Sequence, residues 1–184
     1  MDWKEEKEPF RKVLDQRRGF FQLAMNEGLS LGLLFVAQAG ALLLYRLGIF
    51  STLLLLAAIV GVPIALYLKG IRFRDHHMGG NVGYMPIVGY LSWSYLFALG
   101  IGFISYFVVT YILFRDSTFI AMMEESFGLL EEIAKQNGTQ YEEAIASIKN
   151  ITPLRISSTI AIQALFFGLI YIYIVGLFIK RSDK

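Results

Sequence analysis

Polar and apolar residues are segregated along this chain on the scale of whole helices. Four stretches contain no Asp, Glu, Lys or Arg: Gly28 to Tyr45, Leu47 to Leu68, Met78 to Phe114 and Ile156 to Ile179. Each meets or approaches the ~20 apolar residues that carry a helix across a hydrocarbon core of ~30 Å. Only helices and closed barrels satisfy their own backbone groups there, and runs of this length select the helix. The pattern predicts an all-α membrane protein with four transmembrane helices at 27–45, 48–68, 87–114 and 154–179. The third stretch exceeds what one span needs. Its start, Met78-Gly-Gly-Asn-Val-Gly-Tyr-Met-Pro86, reads as a loop or short interfacial segment, so the span begins near Ile87.

The flanking segments carry their own periodicity. Phe10, Val13, Leu14, Phe20, Phe21 and Ala24 recur at helical spacing among Arg11, Lys12, Asp15 and Arg18. This predicts a cytoplasmic amphipathic helix over residues 1–24, lying on the headgroups or docked on a partner, ahead of a membrane domain over 25–184. Charges of both signs from Asp2 to Arg18 do not fit a cleaved signal peptide. Pro63 is expected to kink the second span.

Between Phe114 and Ile156 the chain turns acidic, with seven carboxylates against four basic residues. Phe119, Met123, Phe127, Leu130 and Ala134 share one helical face, Asn137-Gly138 supplies a stop, and Thr139 with Glu142 forms a capping box for a second helix. Residues 115–152 are therefore expected to form a periplasmic helical hairpin whose apolar residues Phe119, Met123, Phe127 and Leu130 face a partner or the membrane. Thr152-Pro153 reads as the N-cap and first residue of the last span.

Charge placement sets the orientation. Twelve of the 17 Lys and Arg residues lie before the first span, after the second and after the fourth, which places both termini in the cytoplasm by the positive-inside rule. The total, 17 basic against 15 acidic residues, is too even for nucleic-acid binding. The absence of cysteine excludes disulfides, thiolate catalysis and Cys-based metal sites.

Candidate chemistry is sparse. Lys69, Arg72 and Arg74 after the second span suggest binding of anionic lipid headgroups. His76 and His77 have no third His or any Cys to complete a metal site, and no metal or cofactor is expected. Glu27, at the lip of the first span, could ligate a proton or cation, or pair with Arg18, Lys69 or Arg72. Gln38 and Gln163 lie eight residues inside Arg46 and Arg155 respectively, hence ~12 Å deep at ~1.5 Å per residue, and are expected to bond across the first and fourth spans. Gly28-xxx-Gly32, Ala57-xxx-Gly61 and Ala98-xxx-Gly102 permit close helix contact, within the bundle or between copies. Glu124-Glu125 and Glu131-Glu132 read as a solvated face. Asn137-Gly-Thr139 and Asp116-Ser-Thr118 match short glycosylation acceptors, and capping suits both as well.

Several local motifs occur in order: Gly79-Gly-Asn-Val-Gly-Tyr84, Phe114-Arg-Asp-Ser-Thr-Phe119, Met122-Met-Glu-Glu125 and Ile151-Thr-Pro153. In this the chain resembles the Bacteroidota family catalogued as domain of unknown function 4199, over roughly Gly28 to Lys180. The resemblance implies a bacterial inner membrane and carries no activity or site residues with it.

No nucleophile–base pair stands out, so an enzyme is not expected. The leading expectation is an inner-membrane accessory or scaffold protein for envelope biogenesis, engaging membrane lipids and either self-associating or binding a membrane-protein partner. The alternative is a homo-oligomeric lipid or small-molecule transporter, for instance of polyprenyl-linked sugars, with Arg72 and Arg74 on the phosphate.

Overall fold

The computed structural model describes residues 7–137 and 151–180. Five α-helices account for most of them: α1 (Lys7–Leu43), α2 (Ile49–Arg72), α3 (Tyr84–Leu113), α4 (Ser117–Asn137) and α5 (Pro153–Ile179). Four of these are long and apolar enough to cross a membrane: α1 from Arg18, α2 extended to His77, α3 and α5. The molecule is a multi-pass membrane protein. Its exterior is correspondingly apolar, with Leu33, Phe167 and Phe178 among the most exposed side chains.

Helix boundaries follow local chemistry. Helix α1 runs 37 residues without interruption through position 24, where an interfacial segment was expected to give way to a span. Nothing there breaks a helix: Pro9 lies in the first turn, where its missing N–H has no partner to lose. At ~1.5 Å per residue the helix is ~55 Å long. Helix α2 runs through Pro63 and past position 68 to Arg72, then continues as a wide π turn over Phe73–His77. Gly79 and Gly80 end it with φ of 65° and 86°, a region that favours glycine, and the Gly80 N–H donates to the Arg74 carbonyl at 2.9 Å. Helix α3 starts at Tyr84, three residues before the expected position, because Pro86 is tolerated in a first turn. Helix α5 opens as expected, with Thr152 Oγ1 accepting from the Arg155 N–H at 3.3 Å and Pro153 in the first turn. The first arm of the expected hairpin is α4; the second arm, with Thr139 and Glu142, lies outside the described residues.

Helix α3 is the axis of the bundle, packing most extensively on α1 and then on α5, while α2 packs mainly on α1. Its α1-facing contacts ascend in step: Gly28 meets Ser94 and Phe97, Gly32 meets Ile101, and Phe35 meets Gly102. The two helices are therefore parallel neighbours. Burial releases little water in a bilayer, so close packing supplies much of the attraction between helices. Gly28 and Gly32 accordingly sit against α3, within one chain. Against α5 the register descends: Tyr84 reaches Tyr173 and Gly176, Tyr95 reaches Ala164 and Gly168, and Thr110 reaches Ser157.

Candidate functional site

A crevice of about 520 Å³ lies at mid-bundle between α2 and α5. Its floor is Phe35 and Gln38 of α1 with Tyr95 and Tyr106 of α3. Ile59, Val62 and Pro63 form one wall, and Gln163, Phe167 and Gly168 belong to the other. Two tyrosines tie the α5 wall to the rest of the crevice. The Tyr171 hydroxyl donates to the Pro63 carbonyl at 3.0 Å, and the Tyr95 hydroxyl donates to the Ala164 carbonyl at 2.6 Å. A side chain at position 168 would collide with the Tyr95 ring, so glycine is what lets that ring reach α5.

Polar groups enter the crevice from two sides. The Gln38 side chain is buried, donates Nε2–H to the Ala58 carbonyl at 3.0 Å, and accepts from the Tyr106 hydroxyl at 3.0 Å. Gln163 is exposed and makes no hydrogen bond among the described residues. Pro63 offers no N–H to the Ile59 carbonyl one turn earlier.

A second cluster pins α4 to one end of the bundle. Asp116 accepts from the Tyr45 hydroxyl at 2.9 Å, from Arg46 Nη2 at 2.8 and 2.9 Å, and from the Thr118 N–H at 2.9 Å. It thus caps α4 and joins it to the α1–α2 turn, where Gly48 adopts φ 56°. The Tyr45 hydroxyl, the Thr118 N–H and the Arg46 guanidinium hold the Asp116 carboxyl below its ordinary pKa, against the opposing effect of desolvation. Phe119 completes the joint, its ring 5.5 Å from that of Tyr45 and 6.3 Å from that of Phe114.

At the opposite end, Lys69 on α2 pairs with Glu27 on α1 and donates to Ser30 Oγ at 2.5 Å. Arg74 binds Asp75 at 2.7 and 3.1 Å and donates to the Ile179 carbonyl at 3.2 Å, capping the C-terminus of α5. Arg72 is exposed. No group of three or more His, Asp or Glu residues suited to a metal ion occurs among the described residues.

The family model described as "Protein of unknown function (DUF4199)" matches residues 26–181. The chain belongs to the DUF4199 family. No curated protein and no solved structure matches it.

The matched region of this DUF4199 protein contains the crevice, the Asp116 joint and the Lys69–Glu27 pair, and omits the first turns of α1. Several residues singled out from sequence have partners other than those expected. Gln38 and Gln163 line the same crevice, yet the Gln38 amide is engaged by α2 and α3, so the expected bond from α1 to α5 is replaced by two others. Lys69 and Arg74 are held by carboxylates, whereas Arg72 is exposed. Phe119 packs inward on Tyr45 and Phe114. Met123 and Phe127 are half-buried, and the Leu130 side chain lies outside the described residues. Tyr95, Tyr106, Tyr171 and Gly168 were missed, because tyrosine and glycine are ordinary residues of apolar spans and their partners lie 68 to 108 positions away. The signal available was the placement of three tyrosines within uncharged stretches, where each hydroxyl needs an acceptor.

Proposed function

We propose that this protein is a non-enzymatic accessory or scaffold protein of the bacterial inner membrane, with both termini cytoplasmic, that presents α4 to a membrane-protein partner in envelope biogenesis. The observation that carries this reading is the joint at Asp116 and Phe119. It fixes the first turn of α4 on the bundle while Met122 and Leu129, seven residues apart on one face further along, stay exposed beside exposed Glu125. An apolar surface bordered by carboxylates suits a partner whose facing surface is apolar with a basic rim. The orientation is supported by the lysine and arginine bias toward the end opposite α4.

The test is site-specific photocrosslinking in native membranes, from Met122 and Leu129, with lipid-facing Ile104 as control. The expected result is one discrete adduct from the α4 positions that disappears with Glu124→Lys plus Glu125→Lys. Adducts no different from those of Ile104 would remove α4 from the interaction. Cysteine is absent from the chain, so single introduced cysteines at 78 and 120 will report orientation by labelling with impermeant reagents.

The crevice favours a second reading, a homo-oligomeric transporter of lipids or small molecules. Arg74 is engaged by Asp75 and the end of α5, so Arg72 carries the phosphate contact in that reading. Transport unaffected by Arg72→Ala would count against it.

A further inference from the structure

The crevice between α2 and α5 is open to the surroundings of the bundle, and the outward faces of both helices are apolar. In a bilayer, what reaches such an opening is hydrocarbon. A volume of about 520 Å³ lies within the range of roughly 300–1,000 Å³ typical of small-ligand sites. Size and apolarity alone would describe any lipid-filled gap. The polar groups are what distinguish this one.

Gln163 lies eight residues along α5 from Arg155, so its amide sits ~12 Å deeper at ~1.5 Å per residue. At that depth water is scarce, and an amide without a partner is costly. Gln163 nevertheless forms no hydrogen bond among the described residues. Across the crevice, Gln38 uses one of its two N–H groups on Ala58 and one acceptor position on Tyr106, leaving a donor and an acceptor in reserve. The Ile59 carbonyl, deprived of its usual helical donor by Pro63, adds an acceptor on the α2 side. Gly168 admits the Tyr95 ring, which closes the floor of the crevice below these groups.

We propose that the crevice binds a single lipophilic chain bearing a carbonyl or hydroxyl group at mid-membrane depth, which enters from the bilayer between α2 and α5 and hydrogen-bonds Gln163 and Gln38. The ligand is defined by where its polar group sits. A common phospholipid holds its esters near the interface and satisfies neither glutamine. This site requires neither the partner at α4 nor transport, so its failure leaves both of those readings standing.

The experiment uses the full chain in vesicles of phosphatidylethanolamine and phosphatidylglycerol, with two photoreactive octadecanoyl probes that differ by one mid-chain oxo group. The oxo probe is expected to label peptides containing 59–63 and 160–168 about threefold more than the plain probe, the ratio that one membrane hydrogen bond of ~0.6 kcal/mol supports. Gln163→Leu should bring the ratio to unity without altering thermal unfolding, since this side chain is exposed and bonds nothing among the described residues. Ile59→Trp, at an exposed position of the α2 wall, should reduce labelling by both probes. Equal labelling by the two probes in the wild type would overturn the proposal and leave an ordinary lipid-filled gap. Crosslinks between two copies through these peptides, with no probe incorporated, would overturn it in favour of a second chain's helix.

Discussion

Replacing Gly28 with alanine tests whether α1 and α3 are held at backbone distance. A Cβ there would lie 2.6 Å from the Ser94 carbonyl oxygen and 2.7 Å from Phe97 Cβ. Both obstacles are fixed by the α3 backbone, so no rotamer change relieves them and α1 must retreat by most of an ångström. Overpacking of this kind costs about 1–3 kcal/mol, and the retreat also loosens neighbouring dispersion contacts. Gly32 offers an internal comparison. Its Cβ would meet the Ile101 side chain, with Cδ1 at 2.6 Å and Cβ at 3.1 Å. Gly32→Ala should cost less, roughly 1 kcal/mol, because an isoleucine tip can move. Ile101→Val, which lacks Cδ1, should recover part of that loss and none of the Gly28→Ala loss. Gly40→Ala is the control, since its Cβ would meet nothing within 4 Å. The assay is reversible unfolding in bicelles by steric trapping, with oligomeric state followed in parallel. Equal unfolding free energies for Gly28→Ala and Gly40→Ala would refute the packing argument. A change in self-association alone would place the glycine pair between copies.

The joint at Asp116 should be pH-dependent in a definite direction. Its carboxyl is held below the ordinary value in the docked state, so its contribution is complete above the ordinary carboxylate range and is lost as pH falls through the depressed value. Hydrogen-exchange protection in the first turn of α4, corrected for the pH dependence of intrinsic exchange, should fall with acidification in the wild type and be low and flat in Asp116→Ala; matching profiles would sink the assignment. At the other end, Lys69→Met strips Glu27 of its partner. Because the Glu27 side chain keeps 25% exposure, the expected loss is about 1–3 kcal/mol, below that of a fully enclosed pair. Adding Glu27→Leu should restore most of this stability, and a double variant as unstable as Lys69→Met alone would show that the pair is not the source.

The spans were legible because absence of charge over twenty residues has one physical reading in a membrane protein. The start of α5 was legible for a similar reason, since Thr152-Pro153 acts within one turn. What escaped depended on distance. The partner of Gln38 is Tyr106 on a parallel neighbour, and nothing in the order of the helices says that α1 will lie on α3 more than on α2. The far end of α2 escaped because the charges from Lys69 to Arg74 mark where a span meets the interface, whereas the helix stops only at Gly79. Periodicity puts Phe119 on an apolar face with Met123 and Phe127, but it does not tell which surface that face meets. The crevice itself arises from how α2 and α5 are spaced, a property of tertiary arrangement.

The parallel seam between α1 and α3 has a consequence for biosynthesis. Helix α1 is the least apolar of the four spans, with a mean hydropathy of 1.4 against 2.5 for α2. It is also made first, while the helix it packs on most closely is third. A nascent chain paused before α3 therefore has α1 beside α2 alone, with Gly28 and Gly32 facing lipid and Gln38 lacking Tyr106. The first hairpin can form its own contacts, such as that of Gln38 with Ala58, but α1 reaches its full packing only when the third span joins it.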